Sequence, residues 1–535
     1  MSSRVLMEPI VGTGGEMDLS VPRHNSLWMD SSNAAACDPL PGDLRSDVAV
    51  IGAGITGLTT AYLLASSGVR VVVVEADTVC SGATGFTTGK VTSQHSLIYA
   101  SLVERHGVER ATVYAQAQQA AIGRIASIVA TDAIDCNTAR TKAFVYTEAA
   151  EREDELAEEL AAAIACGLPA DDVGGDIGLP WAVAGAISFD DQLLFHPRRY
   201  CLGLVDQIVR RGGVVVERTR ASGVDDSDGE CVVSTERGVI RADAVVVATQ
   251  TPFVDRGGFF ARTKPVRSYV LAARWQDPPD GMYISVDTPT RSIRPHADAD
   301  GSVLIVGGGG HPSGRDDNTD THYDDLQRFA TERFGMPRAE WQWSAQDFVA
   351  ADGLPFIGPI TAGSPRTFVA TGYAKWGMTN GTVAAMVISD AILGRANPWA
   401  ETFDSTRIDA SRSIGTVLSQ GAHTIKSIIG DRIAAVTAPN IGELGPNEGA
   451  VVSVDGHRVA AFCDDDGTIT AVSATCTHLG CIVHFNDAER TWDCPCHGSR
   501  FTLDGHVING PATTNLTTVH VTPPPSATDL PHHHT

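Results

Sequence analysis

Positive charge is what this sequence is shortest of. Across 535 residues, 40 Lys and Arg stand against 64 Asp and Glu, a formal net charge of −24. A surface this acidic repels phosphate backbones and anionic lipid, so nucleic acid and membrane surfaces are not expected partners. Long apolar runs are missing as well. None approaches the roughly 20 residues of a membrane-spanning helix, and the longest, such as AVVVATQ, have strand length. The opening stretch MSSRVLMEPIVGTGG has no cationic segment followed by an apolar one, so no signal peptide is expected and the cytoplasm is the expected location. Cysteine is sparse over most of the length. Six of the eleven (Cys37, Cys80, Cys136, Cys166, Cys201, Cys231) stand alone, as reduced and buried thiols do, while five crowd between residues 463 and 496. With 43% hydrophobic and 19% charged residues, the chain reads as a globular protein of two or three domains.

The stretch SDVAVIGAGITGLTTAYLLASSGVRVVVVEA reads strand, glycine turn, helix, strand, acid. Val48–Ile51 is a short apolar strand, Gly52, Gly54 and Gly57 give G-x-G-x-x-G, and Val71–Val74 leads to Glu75. The first glycine permits a tight turn, the second lets a pyrophosphate approach the backbone, and the third lets helix and strand pack closely. The helix N-terminus favours the phosphates, and Glu75 is placed to accept from ribose hydroxyls. This is a dinucleotide site, and the fingerprint alone does not separate FAD from NAD. VGGGGHPSG (306–314) follows a strand but has no helix or acid after it, so a second dinucleotide site for a pyridine nucleotide is not expected.

Three later stretches, SGATGFTTGKV (81–91), DAVVVATQTPF (243–253) and DGLPFIGP with GYAKWGMTNGTVAA (352–359 and 372–385), resemble the flavoenzyme superfamily of D-amino-acid oxidase, glycine oxidase and sarcosine oxidase. That resemblance implies FAD. It carries cofactor-binding roles onto Thr84, Thr88, Ala248, Gly372, Trp376, Gly377, Met378 and Thr379, beside the three glycines and Glu75. It also puts Lys90 where a cation stands beside the flavin ring, a solvated lysine being the plain alternative. The alternating segment 264–314 would be the antiparallel sheet over the flavin, with His296 and His311 as candidate acid–base groups on its turns. His311 joins Lys90 as the catalytic expectation.

CTHLGC (476–481) and CPCHGSRF (494–501) hold C-x-H and C-x-x-H pairs. Two Cys and two His suit tetrahedral zinc, although C-x-H is tight for a zinc knuckle, and Cys481 and Cys496 stand at fixed offsets. The pair resembles the double signature of a Rieske [2Fe–2S] protein. By that resemblance Cys476 and Cys494 hold one iron, His478 and His497 hold the other, and Cys481 and Cys496 form a disulfide. Imidazoles in place of thiolates raise the cluster potential. Ser499 matches a donor to a cluster sulfide. Phe501 stands where respiratory Rieske proteins carry tyrosine, so the potential is expected below theirs and above that of ring-hydroxylating oxygenase ferredoxins. From residue 441 onward three arginines (Arg458, Arg490, Arg500) face eleven acids.

The predicted fold class is α/β, a Rossmann-like FAD-binding domain with an antiparallel-sheet substrate domain, plus a C-terminal all-β Rieske domain. The expected layout is an N-terminal extension (1–45), an oxidoreductase module (46–398), a helical linker (399–440), a Rieske domain (441–522) and a disordered tail (523–535). Within the module the FAD-binding parts are about 46–95, 190–262 and 346–398, and the substrate-domain parts about 96–189 and 263–345. The whole chain resembles a bacterial family in which such a module carries a C-terminal Rieske domain. The resemblance implies an FAD-dependent dehydrogenase for an amine or amino-acid-like small molecule. Its electrons would pass singly to the cluster and on to a soluble or membrane-bound carrier. Reverse flow and a redox sensor or relay without turnover are the alternatives.

Overall fold

Val48–Ile51, Val71–Val74 and Ala244–Val247 are apolar at every position, and all twelve residues are buried. Such runs suit parallel strands covered on both faces. In the computed structural model, which describes residues 23–33, 36–227, 229–316, 318–407 and 441–521, they are adjacent strands of a six-stranded sheet. Its order is Phe356–Pro359, Thr367–Thr371, Ala244–Val247, Val48–Ile51, Val71–Val74, Val214–Val216, parallel except at the first pair. Helices Ile55–Ser66, Pro197–Arg210 and Gly377–Ile392 cover one face. A four-stranded sheet covers the other, through Cys231, Val233 and Ile240 on Ala49, Ile51 and Val72.

A ten-stranded sheet forms the second half of the module. Thr263–Arg274, Arg291–Asp298, Gly301–Pro312 and Trp341–Ala350 are its long antiparallel strands. The glycine run 307–310 lies inside Gly301–Pro312, so it is strand and not a nucleotide turn. Residues 23–33 and 36–45, set apart by sequence as an extension, pack into the module. Trp28 is fully buried in a cluster with Val270, Ile305, Trp341 and Trp343, and Leu44–Arg45 pairs with Gly238–Ala242.

Residues 441–521 form two small antiparallel sheets, of three and four strands, around Phe462, Val472, Val483, Trp492 and Phe501. Turns at Asp455–Gly456 and Asp466–Gly467 close the hairpins as the sequence predicts. The linker expected at 399–440 lies outside the described residues from 408 onward, as do residue 522 and the whole tail expected at 523–535. Among the described residues no helix is long and apolar enough to cross a membrane.

Helix Ile98–His106 starts without a side-chain cap of its own. Glu159, from helix Glu153–Ala165, accepts there from the Tyr99 and Ala100 N–H groups at 3.0 and 2.8 Å. Burial outweighs these bonds and raises its carboxyl from the ordinary 4.5 to about 7. A carboxyl raised on folding binds its proton more tightly in the native state. Stability should therefore fall as pH rises through this window, by roughly 3 kcal/mol. In Glu159→Gln that slope should vanish when urea midpoints at pH 5 and pH 8 are compared. An unchanged slope would place the titration elsewhere.

Candidate cofactor cavity and metal centre

The glycine turn is dictated by space. Gly52 has φ +105°, and a Cβ there would sit 2.6 Å from the Ala248 carbonyl oxygen; at Gly57 it would meet the Gly52 oxygen at 1.9 Å. Only hydrogen fits at either point. The turn opens onto a cavity of about 1500 Å³, larger than the roughly 300–1,000 Å³ of a small-molecule site and so roomy enough for a dinucleotide and a substrate. Gly52, Gly54, Glu75, Thr84, Thr88, Lys90, Ala248, Trp376, Gly377 and Met378 all line it. Glu75 directly follows the strand Val71–Val74, and its carboxylate accepts from the Ala53 and Asp77 N–H groups at 2.8 and 3.0 Å. Thr84, in the short turn Ala83–Phe86, accepts from Ile55 N–H at 3.1 Å, which fixes the entry to the fingerprint helix.

Three residues expected at the cofactor do not line the cavity: Gly57, packed on the Gly52 carbonyl, Thr379 and Gly372. The Thr379 hydroxyl faces His95 and the Thr92 carbonyl at 3.2 and 3.3 Å. Gly372, at φ +82°, serves a turn packed on Ala350.

Lys90 is buried and donates to the Tyr283 carbonyl at 2.6 Å and Ser292 Oγ at 2.7 Å. Burial, with the Arg294 guanidinium adding repulsion, holds its ammonium well below the ordinary lysine range. It is no solvated lysine.

The histidine expectations need correction. His311 does not line the cavity. The strand continues past the glycines, and the His311 ring stacks 4.7 Å behind that of His322, with Nε2 3.0 Å from the Tyr269 hydroxyl. His322 and Tyr269 are the residues that reach the cavity. His296 is buried against Trp28 and His196, where burial lowers its imidazole to about 3.

Sequence reading also missed Lys375. It lies in GYAKWG, and both Ala374 and Lys375 take positive φ, 53° and 73°. Non-glycine residues hold that conformation only where their surroundings impose it. Here the Asp347 carboxylate accepts from the Lys375 N–H. The side chain is exposed and lines the cavity, yet the protein around it still lowers the ammonium. Nζ donates to no protein acceptor among the described residues. Gly310 makes room for it, since a Cβ there would lie 2.7 Å from Nζ. The signal available in sequence was a lysine among glycines just before a helix start.

The second centre is built by two tight turns. Gly480 N–H bonds to the Cys476 carbonyl at 3.0 Å, and Gly498 N–H to the Cys494 carbonyl at 3.1 Å. The His478 and His497 rings meet edge to face at 5.0 Å. Both Nδ1 atoms are buried without a hydrogen-bond partner. Such orphaned atoms call for an explanation, and a metal supplies it. Burial lowers both imidazoles, His497 to about 4, which favours the neutral form a metal binds. Cys476 and Cys494 are buried free thiols. A hydrogen bond from the Cys494 thiol, helped by Ser499, holds Cys476 down to about 7. The Cys481–Cys496 disulfide ties the turns together. Ser499 Oγ also accepts from Ala512 N–H at 3.0 Å, and Phe501 is buried in the domain core.

His478 and His497 face the oxidoreductase module. Phe260 packs edge-on against His478 and His497 at 5.7 and 5.0 Å, and Asp255 lies 3.3 Å from His478 Nε2. Residues 506–510 and 512–515 line the same cavity as the glycine turn.

Known proteins agree with both centres. Residues 47–391 match the FAD dependent oxidoreductase (DAO) family, and residues 435–520 match the Rieske [2Fe-2S] domain. The Rieske 2Fe-2S iron-sulfur protein YhfW of Bacillus subtilis is 36% identical over 489 residues, 91% of this chain and 96% of that one. The cytochrome b6-f complex iron-sulfur subunit of Chlorobaculum tepidum is 58% identical over 78 residues, 13% of this chain and 43% of its own. Glycine oxidase from Geobacillus kaustophilus has the same fold (TM-score 0.58, 21% identity, 68% of this chain and 99% of that one). So does L-proline dehydrogenase from P. horikoshii (TM-score 0.57, 17% identity, 70% and 100%). The chain belongs to the FAD-dependent oxidoreductase (DAO) family and carries a C-terminal Rieske domain, an oxidoreductase whose cofactors are FAD and a [2Fe–2S] cluster.

Proposed function

We propose that the chain is a dehydrogenase for an amine or amino-acid-like small molecule. It would take a hydride from the carbon beside the nitrogen and send the two electrons singly, through the Rieske domain, to an external acceptor. The observation that carries this reading is one cavity whose wall runs from the glycine turn and Glu75 to Lys90 and Lys375, and on to residues of the C-terminal domain. When bound, FAD supplies hydride acceptance and the cluster one-electron carriage. The substrate class follows from the fold shared with glycine oxidase and L-proline dehydrogenase, and from Lys375, a cavity cation without an anionic partner at ion-pair distance among the described residues.

Lys375 suits a carboxylate on the substrate. A charge-assisted hydrogen bond in such a site is worth about 1.5–3 kcal/mol. Lys375→Met should therefore raise KM for a carboxylate substrate about 10- to 100-fold, with little effect on a matched amine lacking the carboxylate. Equal loss for both compounds would remove Lys375 from substrate recognition.

The reading is tested by mixing the protein anaerobically with a panel of secondary amines and amino acids. Flavin absorbance and the electron paramagnetic resonance (EPR) signal of the reduced cluster are followed together. Bleaching by one compound, with the cluster signal after it, is the expected result. If nothing bleaches the flavin while dithionite still yields the cluster signal, the amine reading falls and reduction from outside through the cluster takes its place.

A further inference from the structure

We propose that Gln346 is a positioning residue that fixes the second cluster turn against the cofactor cavity. The proposal rests on the reading that electrons pass between the two centres, and it holds for either direction of flow. Gln346 sits on strand Trp341–Ala350, and it lines the cavity with its neighbours Ala345 and Asp347. Its side chain is buried, and Nε2 donates to the Gly498 carbonyl at 2.7 Å. Gly498 directly follows the ligand His497. A carbonyl only accepts, so the amide orientation is set by this bond. From the cavity side Gln250, itself in the lining, donates to the Gln346 backbone carbonyl. A short hydrogen-bonded path therefore joins the cavity wall to a ligand-bearing turn.

Two further features make the contact specific. Gly498 has φ +76°, and a Cβ there would lie 2.8 Å from Gln346 Nε2 and 2.8 Å from Pro265 Cβ. The turn can come this close only because that residue is glycine. Arg267 is paired opposite Gln346 on the next strand, and its Nη2 lies 3.2 Å from Asp493, the residue before the ligand Cys494. Neighbouring positions on adjacent strands thus hold both ends of the turn 494–498. The imidazole edges are engaged elsewhere, by Phe260 and Asp255. It is the backbone of the second turn that is fastened to the cavity wall. A functional centre is only as well placed as the residues that support it.

The test uses the full chain carrying both cofactors, with Gln346→Met and Gln346→Glu, which keep the length of the side chain but lack its N–H donor. A neutral hydrogen bond contributes about 0.5–1.5 kcal/mol, or about 2- to 10-fold in an equilibrium. Amide exchange at Cys494 and Gly498 should speed up by about that factor, and the EPR spectrum of the dithionite-reduced cluster should shift or broaden. The ratio of cluster-reduction to flavin-bleaching rates should fall about 2- to 10-fold. Wild-type exchange and a wild-type spectrum in both variants would overturn the proposal. Should Gln346→Met fail to hold the cluster, Gln346→Asn is read by the same two measurements, since its amide is a methylene too short to reach Gly498. Wild-type values there would again overturn it. Exchange and the dithionite spectrum need no substrate. Failure of the amine panel therefore leaves this result readable, and the two ideas can fail separately.

Discussion

Lys90→Met is expected to slow flavin bleaching by substrate about 10²- to 10⁴-fold, the range for losing a positioned proton-handling group. Lys90 begins the short strand Lys90–Val91, and two of its three N–H donors are taken by the Tyr283 carbonyl and Ser292 Oγ. No carboxylate stands within ion-pair distance of it among the described residues. Burial first, and the Arg294 charge second, therefore make its protonated form unfavourable until negative charge enters the cavity. Under the proposed function, Lys90 is then placed to take up a proton there.

The sign of the pH dependence follows. A step that needs the neutral amine should gain rate as pH rises through the lowered value, well below the ordinary 10.5. That limb should be absent in the methionine variant. The same shift separates chemistry from folding. A lysine lowered on folding costs stability in full below its lowered value, and the cost disappears above 10.5. Methionine removes that cost and loses two hydrogen bonds, so the melting temperature should stay within a few degrees. Stopped-flow bleaching between pH 5 and 10, on protein with full FAD absorbance, decides the matter. A variant with the wild-type rate and profile would leave Lys90 as packing only.

Asp493→Asn is expected to destabilise the chain by about 3–5 kcal/mol, the effect of leaving a buried charge without its partner. The Arg267 and Asp493 side chains are 0% and 2% exposed and 3.2 Å apart. Asp493 also accepts from Arg500 at 3.0 Å, Asn486 at 3.0 Å and Thr491 at 2.8 Å, so one carboxylate serves two guanidiniums. Arg267 has little else. It donates to Ser344 Oγ, and its Nε and Nη2 make no hydrogen bond. Without the carboxylate, the Arg267 and Arg500 guanidiniums lie together in a buried interface, where Glu489, 4.0 Å from Arg500, is the remaining acid in ion-pair range of Arg500 among the described residues. Because Arg267 belongs to the ten-stranded sheet and Asp493 to the Rieske domain, the loss should fall on their docking. Urea unfolding followed by cluster absorbance measures it, and Arg267→Met added to Asp493→Asn should recover part of it by removing the stranded cation. A single variant within about 1 kcal/mol of wild type would refute the argument.

What could be read in the sequence was what local sterics and ligand chemistry dictate. The fingerprint glycines were legible because two of them have no room for a Cβ. Cys476, His478, Cys494 and His497 were legible through the likeness of their two short motifs to the Rieske signature, and the structure sets them on two tight, disulfide-tied turns. Residues whose role depends on distant packing were not legible. His311 read as a turn residue, yet the strand runs on through Pro312 and hides its ring behind His322. Lys375 and Gln346 gain their positions only when the ten-stranded sheet meets the six-stranded one and the C-terminal domain. Residues 23–45 looked loose because Trp28 finds its partners some 240 or more residues away, among Val270, Ile305, Trp341 and Trp343.

If electrons pass as proposed, the cover that Phe260 and Asp255 place over His478 and His497 changes what limits the rate. A carrier in solution meets its donor by collision, whereas here tethering fixes the local concentration of one centre at the other. Under the proposed function, exchange between them is a first-order event that dilution does not slow. An outside acceptor obeys different arithmetic. Under the proposed function, an outside acceptor approaching those imidazole edges would meet Phe260 and Asp255 there, so the module and the acceptor would share one small face.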